Sequence, residues 1–179
     1  MTEVQLIEAC KRQDSYAQRL LYDRYIDKLY VLCIRYVTDK ADAEELLSNA
    51  FLKCFRHIGG FSYAGEGSLR AWLSRILVNE CLMFLRRKKL LTIPADGLPE
   101  MPEQQDAETA LGRLQTREIL QYIQELPAGY RTVFNLYVFE DMSHKEIAAL
   151  LQISESTSKT QLFKARALLK QKIQEQAAF

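Results

Sequence analysis

No proline precedes Pro94 in this 179-residue chain, and four of its seven glycines fall between Gly59 and Gly67. With so few breakers elsewhere, long helices must flank one special loop. The four cysteines, Cys10, Cys33, Cys54 and Cys81, are 23, 21 and 27 residues apart with no Cys-x-x-Cys pair, which excludes a zinc ribbon and a dithiol redox motif. They read as buried thiols in a reducing compartment; Cys54 and His57 offer two ligands, too few for a metal site. Charge of one sign is absent too: 24 basic and 23 acidic residues leave a formal net charge of +1, so any nucleic-acid contact must be local. The longest apolar stretch, residues 71–85, is broken by Arg75, Asn79 and Glu80 and cannot span a bilayer. The first residues, MTEVQLIEACKRQD, lack a signal pattern. The pattern is that of a soluble, cytoplasmic chain without direct membrane insertion. Two histidines 87 positions apart, no phosphate-cradling glycine loop before a helix and no Ser-His-Asp pattern leave no catalytic constellation, so neither an enzyme nor a cofactor is expected.

What is present is helical periodicity. Asp14 or Ser15 can cap a helix whose stripe runs through Tyr16, Leu20, Leu29, Cys33, Tyr36 and Val37 and which ends near Thr38. The run 30–37 is also β-prone, but length and lack of turn signals favour helix. Asp39 can cap the next, where Ala43, Leu46, Leu47, Ala50, Phe51, Cys54, Phe55 and Ile58 recur at three and four behind an acidic first turn. Ser68 caps a third, carrying Leu69, Trp72, Leu73, Ile76, Leu77 and Cys81 toward a core, with Arg86 to Lys89 closing it. Residues 86–91 carry four basic and no acidic side chains, and 92–112 five acidic and no basic ones. There Pro94, Pro99 and Pro102 resist regular structure. The chain therefore reads as all-α, with two small helical domains, 1–88 and 107–179, joined by a flexible linker, 89–106.

The second half carries the sharper motif. A helix over 107–125 precedes one started by Pro127 in its first turn and packed through Val133, Leu136 and Tyr137. Ser143 then caps 144–151, Gln152-Ile153-Ser154 forms a short turn, and Ser154 caps the last helix. With Ala148 at the crossing and Ile147, Leu151 and Ile153 inward, 126–171 has the shape of a helix-turn-helix. Stepping about 100° per residue puts Ser158, Leu162, Ala165 and Leu169 inward. Ser156, Lys159, Thr160, Phe163 and Lys170 face outward, with Lys164 and Arg166 at the edges. Hydroxyls, cations and an exposed aromatic suit base edges, phosphates and a thymine methyl.

LPAGYRTVFNLYVFEDMSHKEIAALLQISESTSKTQLFKARALL resembles the fourth conserved region of extracytoplasmic-function sigma factors of bacterial RNA polymerase. LYDRYIDKLYVLCIRYVTDKADAEELLSNAFLKCFRHI and SLRAWLSRILVNECLMFLRR resemble the second region of the same family. The resemblance implies a sigma factor that binds core polymerase, directs it to promoters and helps to melt them. Its partners would be the largest subunit's clamp helices, the flap, promoter DNA and an anti-sigma factor. By the same carry-over Asp42, Glu45, Leu46, Asn49 and Phe51 dock on the clamp helices. Phe61, Ser62, Tyr63 and Ser68 shape a pocket for a flipped base of the minus-10 element, Arg75 and Asn79 line the strand's path, and Trp72 is core. Ser156, Thr157, Lys159, Thr160, Phe163 and Lys164 would read the minus-35 element. Ser158 and Gln161 depart from the family's usual Val and basic residue, which leaves base preference open. The acidic linker would thread polymerase channels near the active centre. The alternative is a freestanding helix-turn-helix regulator binding operators as a dimer, which would need neither the glycine-rich aromatic loop nor the acidic docking helix.

Overall fold

The computed structural model describes residues 1–91 and 116–177, and every regular element among them is helical. The chain divides into two compact units, Met1–Lys88 and Lys89–Phe179. Residues 92–106 of the expected linker and 107–115 of the expected helix lie outside the described residues.

The first unit opens with a helix that the apolar stripes did not announce, α1 (Glu3–Lys11). Its start is written locally: Thr2 accepts from the Gln5 amide and Gln5 returns its side chain to the Thr2 amide, a reciprocal capping box. Asp14 and Asp39 then cap α2 (Ser15–Tyr36) and α3 (Lys40–His57), accepting from Ala17 and Asp42 at 3.0 and 2.9 Å. Each such cap is worth about 1 kcal/mol. A 3-10 turn, Ile58–Gly60, leads through the loop to α4 (Ser68–Arg87).

Packing corrects two expectations. The buried stripe of α2 is Ala17, Leu21, Tyr25, Leu29, Leu32, Cys33 and Tyr36, whereas Tyr16 is 70% exposed and Leu20 half-buried. Tyr16 is apolar enough for a core but lies one residue, about 100°, off the face that meets the other helices. The β-prone run 30–37 is helical through Tyr36, because Leu32, Cys33 and Tyr36 find a helical core. Ser68 is the first helical residue and not the cap; the cap is Gly67, whose φ of +83° demands glycine. Helices α3 and α4 run antiparallel, tied at two levels by Lys88 to Asp42 at 2.9 Å and Lys53 to the buried Glu80 at 2.5 Å.

In the second unit α5 (Thr116–Glu125), α6 (Ala128–Val138), α7 (His144–Leu151) and α8 (Glu155–Ala177) assemble around α6, where 131–136 are all buried. Pro127 precedes the first turn of α6 as its cap residue. Polar pins set these short helices. The buried Arg131 donates to the carbonyls of Gln124 and Leu126 at 3.0 and 2.8 Å, satisfying the end of α5 that has no partner in its own helix. Lys172 bonds Glu125, joining α8 to the same end of α5.

Candidate nucleic-acid interface

The turn between α7 and α8 is held by backbone and hydroxyl contacts. Ser143 and Glu146 form a capping box at the start of α7, with the Ser143 amide and hydroxyl donating to Glu146 at 2.8 and 2.6 Å. Gln152 stands at φ 58° and ψ 46°, left-handed backbone that costs a non-glycine residue roughly 1 kcal/mol. The Ile153 amide closes the turn onto the Ala148 carbonyl at 3.0 Å. Ser154 caps α8, accepting from the Thr157 amide at 3.0 Å, and its hydroxyl meets those of Ser156 and Thr157 at 2.9 and 2.7 Å. Ile147 and Ala148 are buried at the crossing, while Leu151 and Ile153 are half-buried.

Along α8 the inward stripe is Ser158, Leu162, Ala165 and Leu169, each buried. Ser156 and Lys159 are exposed; Thr157, Thr160, Phe163, Lys164, Arg166 and Lys170 are half-buried. Phe163 is thus less free than its outward angle suggested. Lys164 and Arg166 lie over the rings of Tyr130 and Tyr137 at 5.9 and 5.5 Å, which holds both cations beside the helix. Gln161 is buried against Gly129, where an added Cβ would sit 3.3 Å from the Gln161 oxygen. Its side chain packs within the unit and does not stand on the exposed face of α8. The Ser158 hydroxyl lies 2.9 Å from Nδ1 of His144, and that ring stacks on Tyr137 at 4.7 Å. A buried hydroxyl requires a partner, so an inward serine was a signal to look for a polar residue on α7.

The loop of the first unit is built differently. Phe61 is buried and tilts against the half-buried Trp72 at 4.9 Å, so it supports the loop from below and is no free stacking platform. Ser62 is exposed and Tyr63 is 42% exposed. Gly65 and Gly67 take φ of +108° and +83°, and the loop closes on the half-buried Ser68, whose hydroxyl accepts from the Ala64 amide at 3.3 Å and whose amide donates to Gly65 at 3.1 Å. Ser68, Trp72, Arg75 and Asn79 continue from it along one face of α4 at helical spacing, with Arg75 and Asn79 exposed. An exposed tyrosine on the loop, followed along α4 by a hydroxyl, a guanidinium and an amide, offers groups that can stack on and hydrogen-bond an unpaired base; such stacking is worth about 1–3 kcal/mol.

On α3 the expected docking set separates. Glu45 is exposed and Asn49 half-buried, while Asp42 is engaged by Lys88. Leu46 and Phe51 are core residues, 2% and 3% exposed, Phe51 tilted against Tyr22 at 4.6 Å and stacked on Phe55 at 6.2 Å. They face the other helices of their own unit and have no surface to offer. Leu52, 53% exposed, lies on the outward stripe with Glu45 and Asn49, an apolar residue out of step with the buried stripe. All four cysteines are buried free thiols, burial pushing Cys10 up to about 11 and Cys54 to about 12, and Cys33 and Cys81 approach to 3.7 Å. No described helix is long and apolar enough to cross a membrane.

Two family models match in chain order: Sigma-70 region 2 over residues 21–90 and Sigma-70, region 4 over 116–169. The chain is 31% identical to the ECF RNA polymerase sigma factor SigW of Bacillus subtilis, over 94% of this chain and 95% of that one. It is 29% identical to the RNA polymerase sigma-H factor of Pseudomonas aeruginosa, over 95% and 93%. It is also 29% identical to the ECF RNA polymerase sigma-E factor of Haemophilus influenzae, over 97% and 96%. Among solved structures, that of CnrH in complex with the cytosolic domain of CnrY is similar in fold, with a TM-score of 0.50 and 21% identity over 95% of this chain and 96% of that one.

Proposed function

The chain belongs to the extracytoplasmic-function branch of the sigma-70 family of RNA polymerase sigma factors, and on that premise we propose that its two units divide promoter recognition between duplex and single strand. The second unit reads the minus-35 element with Ser156, Lys159, Thr160 and Lys164, Phe163 giving apolar contact beside them. Thr157 acts within the cap. The first unit docks on core polymerase through Glu45, Asn49 and Leu52, with Asp42 at the edge. Its loop receives an unstacked minus-10 base against Tyr63, Ser62 and Ser68, and Arg75 and Asn79 guide the strand. The observation that carries this reading is the pairing, in one chain, of a rigid hydroxyl-and-cation helix face with an exposed aromatic on a glycine-dependent loop.

CnrH is seen with a second protein's cytosolic domain, and we extend that arrangement here: an anti-sigma domain covers the polymerase-facing surfaces until a signal releases it. Reconstituted holoenzyme transcribing a genomic library tests the whole reading and yields the promoter. A chain that never binds core polymerase overturns it in favour of a freestanding regulator. Lys159→Ala then separates base from phosphate contact. A base contact costs about 1–3 kcal/mol at one promoter position, whereas a phosphate contact weakens all sequences alike and lowers the salt slope by about 1.

A further inference from the structure

The glycine-rich loop is held from a distant part of the chain. Glu3, the first residue of α1, accepts from the Tyr25 hydroxyl through Oε1 at 3.2 Å and from the Gly67 amide through Oε2 at 3.3 Å. One carboxylate therefore joins α1, α2 and the point where the loop enters α4.

The helix start explains why it is needed. In a capping box the third helical residue returns a side-chain oxygen to the amide of the cap residue, as Gln5 does for Thr2 and Glu146 for Ser143. The third helical residue of α4 is Arg70, which has donors only. Gly67 has no side chain to offer either, so α4 lacks both halves of a local box. Glu3 supplies one half from another helix. Its own position is secured by Tyr25, whose buried phenol is raised above its usual range by burial and by the Glu3 carboxylate, and so remains a proton donor. Arg24 adds a contact to the Met1 carbonyl at 3.3 Å, holding the segment that carries Glu3.

We propose that Glu3 is a positioning residue for strand capture: its carboxylate caps α4 across the fold and fixes the direction in which the loop presents Ser62 and Tyr63. The proposal rests on the reading of that loop as the element that receives the unstacked base.

The test uses full-length chain in reconstituted holoenzyme, with Glu3→Ala, Glu3→Gln, Tyr25→Phe and Tyr63→Ala, and Glu8→Ala as a control on the exposed side of α1. Core affinity, permanganate reactivity of melted thymines over time, and deuterium uptake across residues 61–68 are measured. Glu3→Ala should slow opening about fivefold, the equivalent of one net hydrogen bond, raise uptake across the loop and leave core affinity unchanged. Glu3→Gln should recover much of the rate, since its carboxamide oxygen still accepts from Gly67 and its amide can donate to the phenol oxygen. Tyr25→Phe loosens the same junction without touching α1 and should shift both readouts in the same direction, which keeps the test valid if Glu3→Ala folds poorly. Glu8→Ala should match the parent. If Tyr63→Ala is slow while Glu3→Ala and Tyr25→Phe match the parent in opening and uptake, the positioning role is overturned and the loop's function stands. If Glu3→Gln is no better than Glu3→Ala, the hydrogen-bonded cap is overturned. Normal opening by Tyr63→Ala overturns the loop's function and the proposal with it.

Discussion

Among the described residues, and setting tyrosines and cysteines aside, buried polar side chains divide unevenly: Glu80 stands alone in the first unit, whereas Arg131, Thr132, Asn135, Ser158 and Gln161 lie in the second. The first unit has three helices of 18 to 22 residues to pack, and apolar area suffices to define their faces. The second is built partly from helices of 8 to 11 residues, too short to bury enough area to fix their angles. Directional hydrogen bonds supply that definition. The difference suits the proposed tasks, because reading base edges tolerates little error in the angle of one helix, while capturing an unpaired base needs a loop that can be shaped.

Two substitutions probe the contrast where it should be largest. Leu77→Ala removes a fully buried side chain from the first unit and should destabilise it by about 4 kcal/mol through lost transfer energy and a cavity. Leu77→Met, conserving volume, should cost under about 1.5 kcal/mol. Arg131→Met tests the opposite case: it keeps an apolar stem but leaves the Gln124 and Leu126 carbonyls without their donor, and should cost the second unit about 3 kcal/mol. Denaturant unfolding with hydrogen exchange in each unit measures both. A neutral Arg131→Met would show that apolar packing suffices there too and would erase the distinction.

The same contrast decides how much was legible beforehand. Asp39, Ser143 and Ser154 as caps, and the span and inward stripe of the helix-turn-helix, follow from local chemistry that a side chain carries wherever it sits. The phase of α2, the burial of Leu46 and Phe51, and the half-burial of Phe163 depend on which neighbours approach from which side, and periodicity does not specify a neighbour. The helix α1 was legible through Thr2 and Gln5 but is short and lacks a long stripe. Gly67 and Ser68 show the limit of cap rules: a good capping residue stood one position too late, and its hydroxyl serves the loop. Glu3 acts 64 residues away in sequence, a distance at which no local rule operates.

A smaller effect belongs to Ser158. Ser158→Ala leaves volume nearly unchanged and removes only the bond to His144, so the loss should be about 1 kcal/mol, confined to protection of α7 and the start of α8. Ser158→Val should recover part of this through apolar contact. If both match the parent, the hydroxyl is a passive filler and the count of pins in the second unit falls by one.

The smallest expected effect separates the two capping boxes, which share a reciprocal pattern and differ in the charge of the returning side chain. At α1 the returning side chain is Gln5, neutral at any pH; at α7 it is Glu146, whose carboxyl is held below its usual range by the hydroxyl and amide of Ser143. A carboxyl whose folded value is depressed contributes stability above its unfolded value, roughly pH 4.3, and loses it as pH falls through the folded value. Acidification below about pH 4 should therefore fray the start of α7, where the Ser143 amide loses a charged acceptor, and spare the box at Thr2. Amide protection measured through that range in the parent and in Glu146→Gln is the check. The variant should make α7 behave like α1, with less cap stability at neutral pH and no loss on acidification. Equal fraying of both helices in the parent would mean that the carboxylate adds nothing to the cap, and that the hydroxyl of Ser143 alone starts the helix-turn-helix.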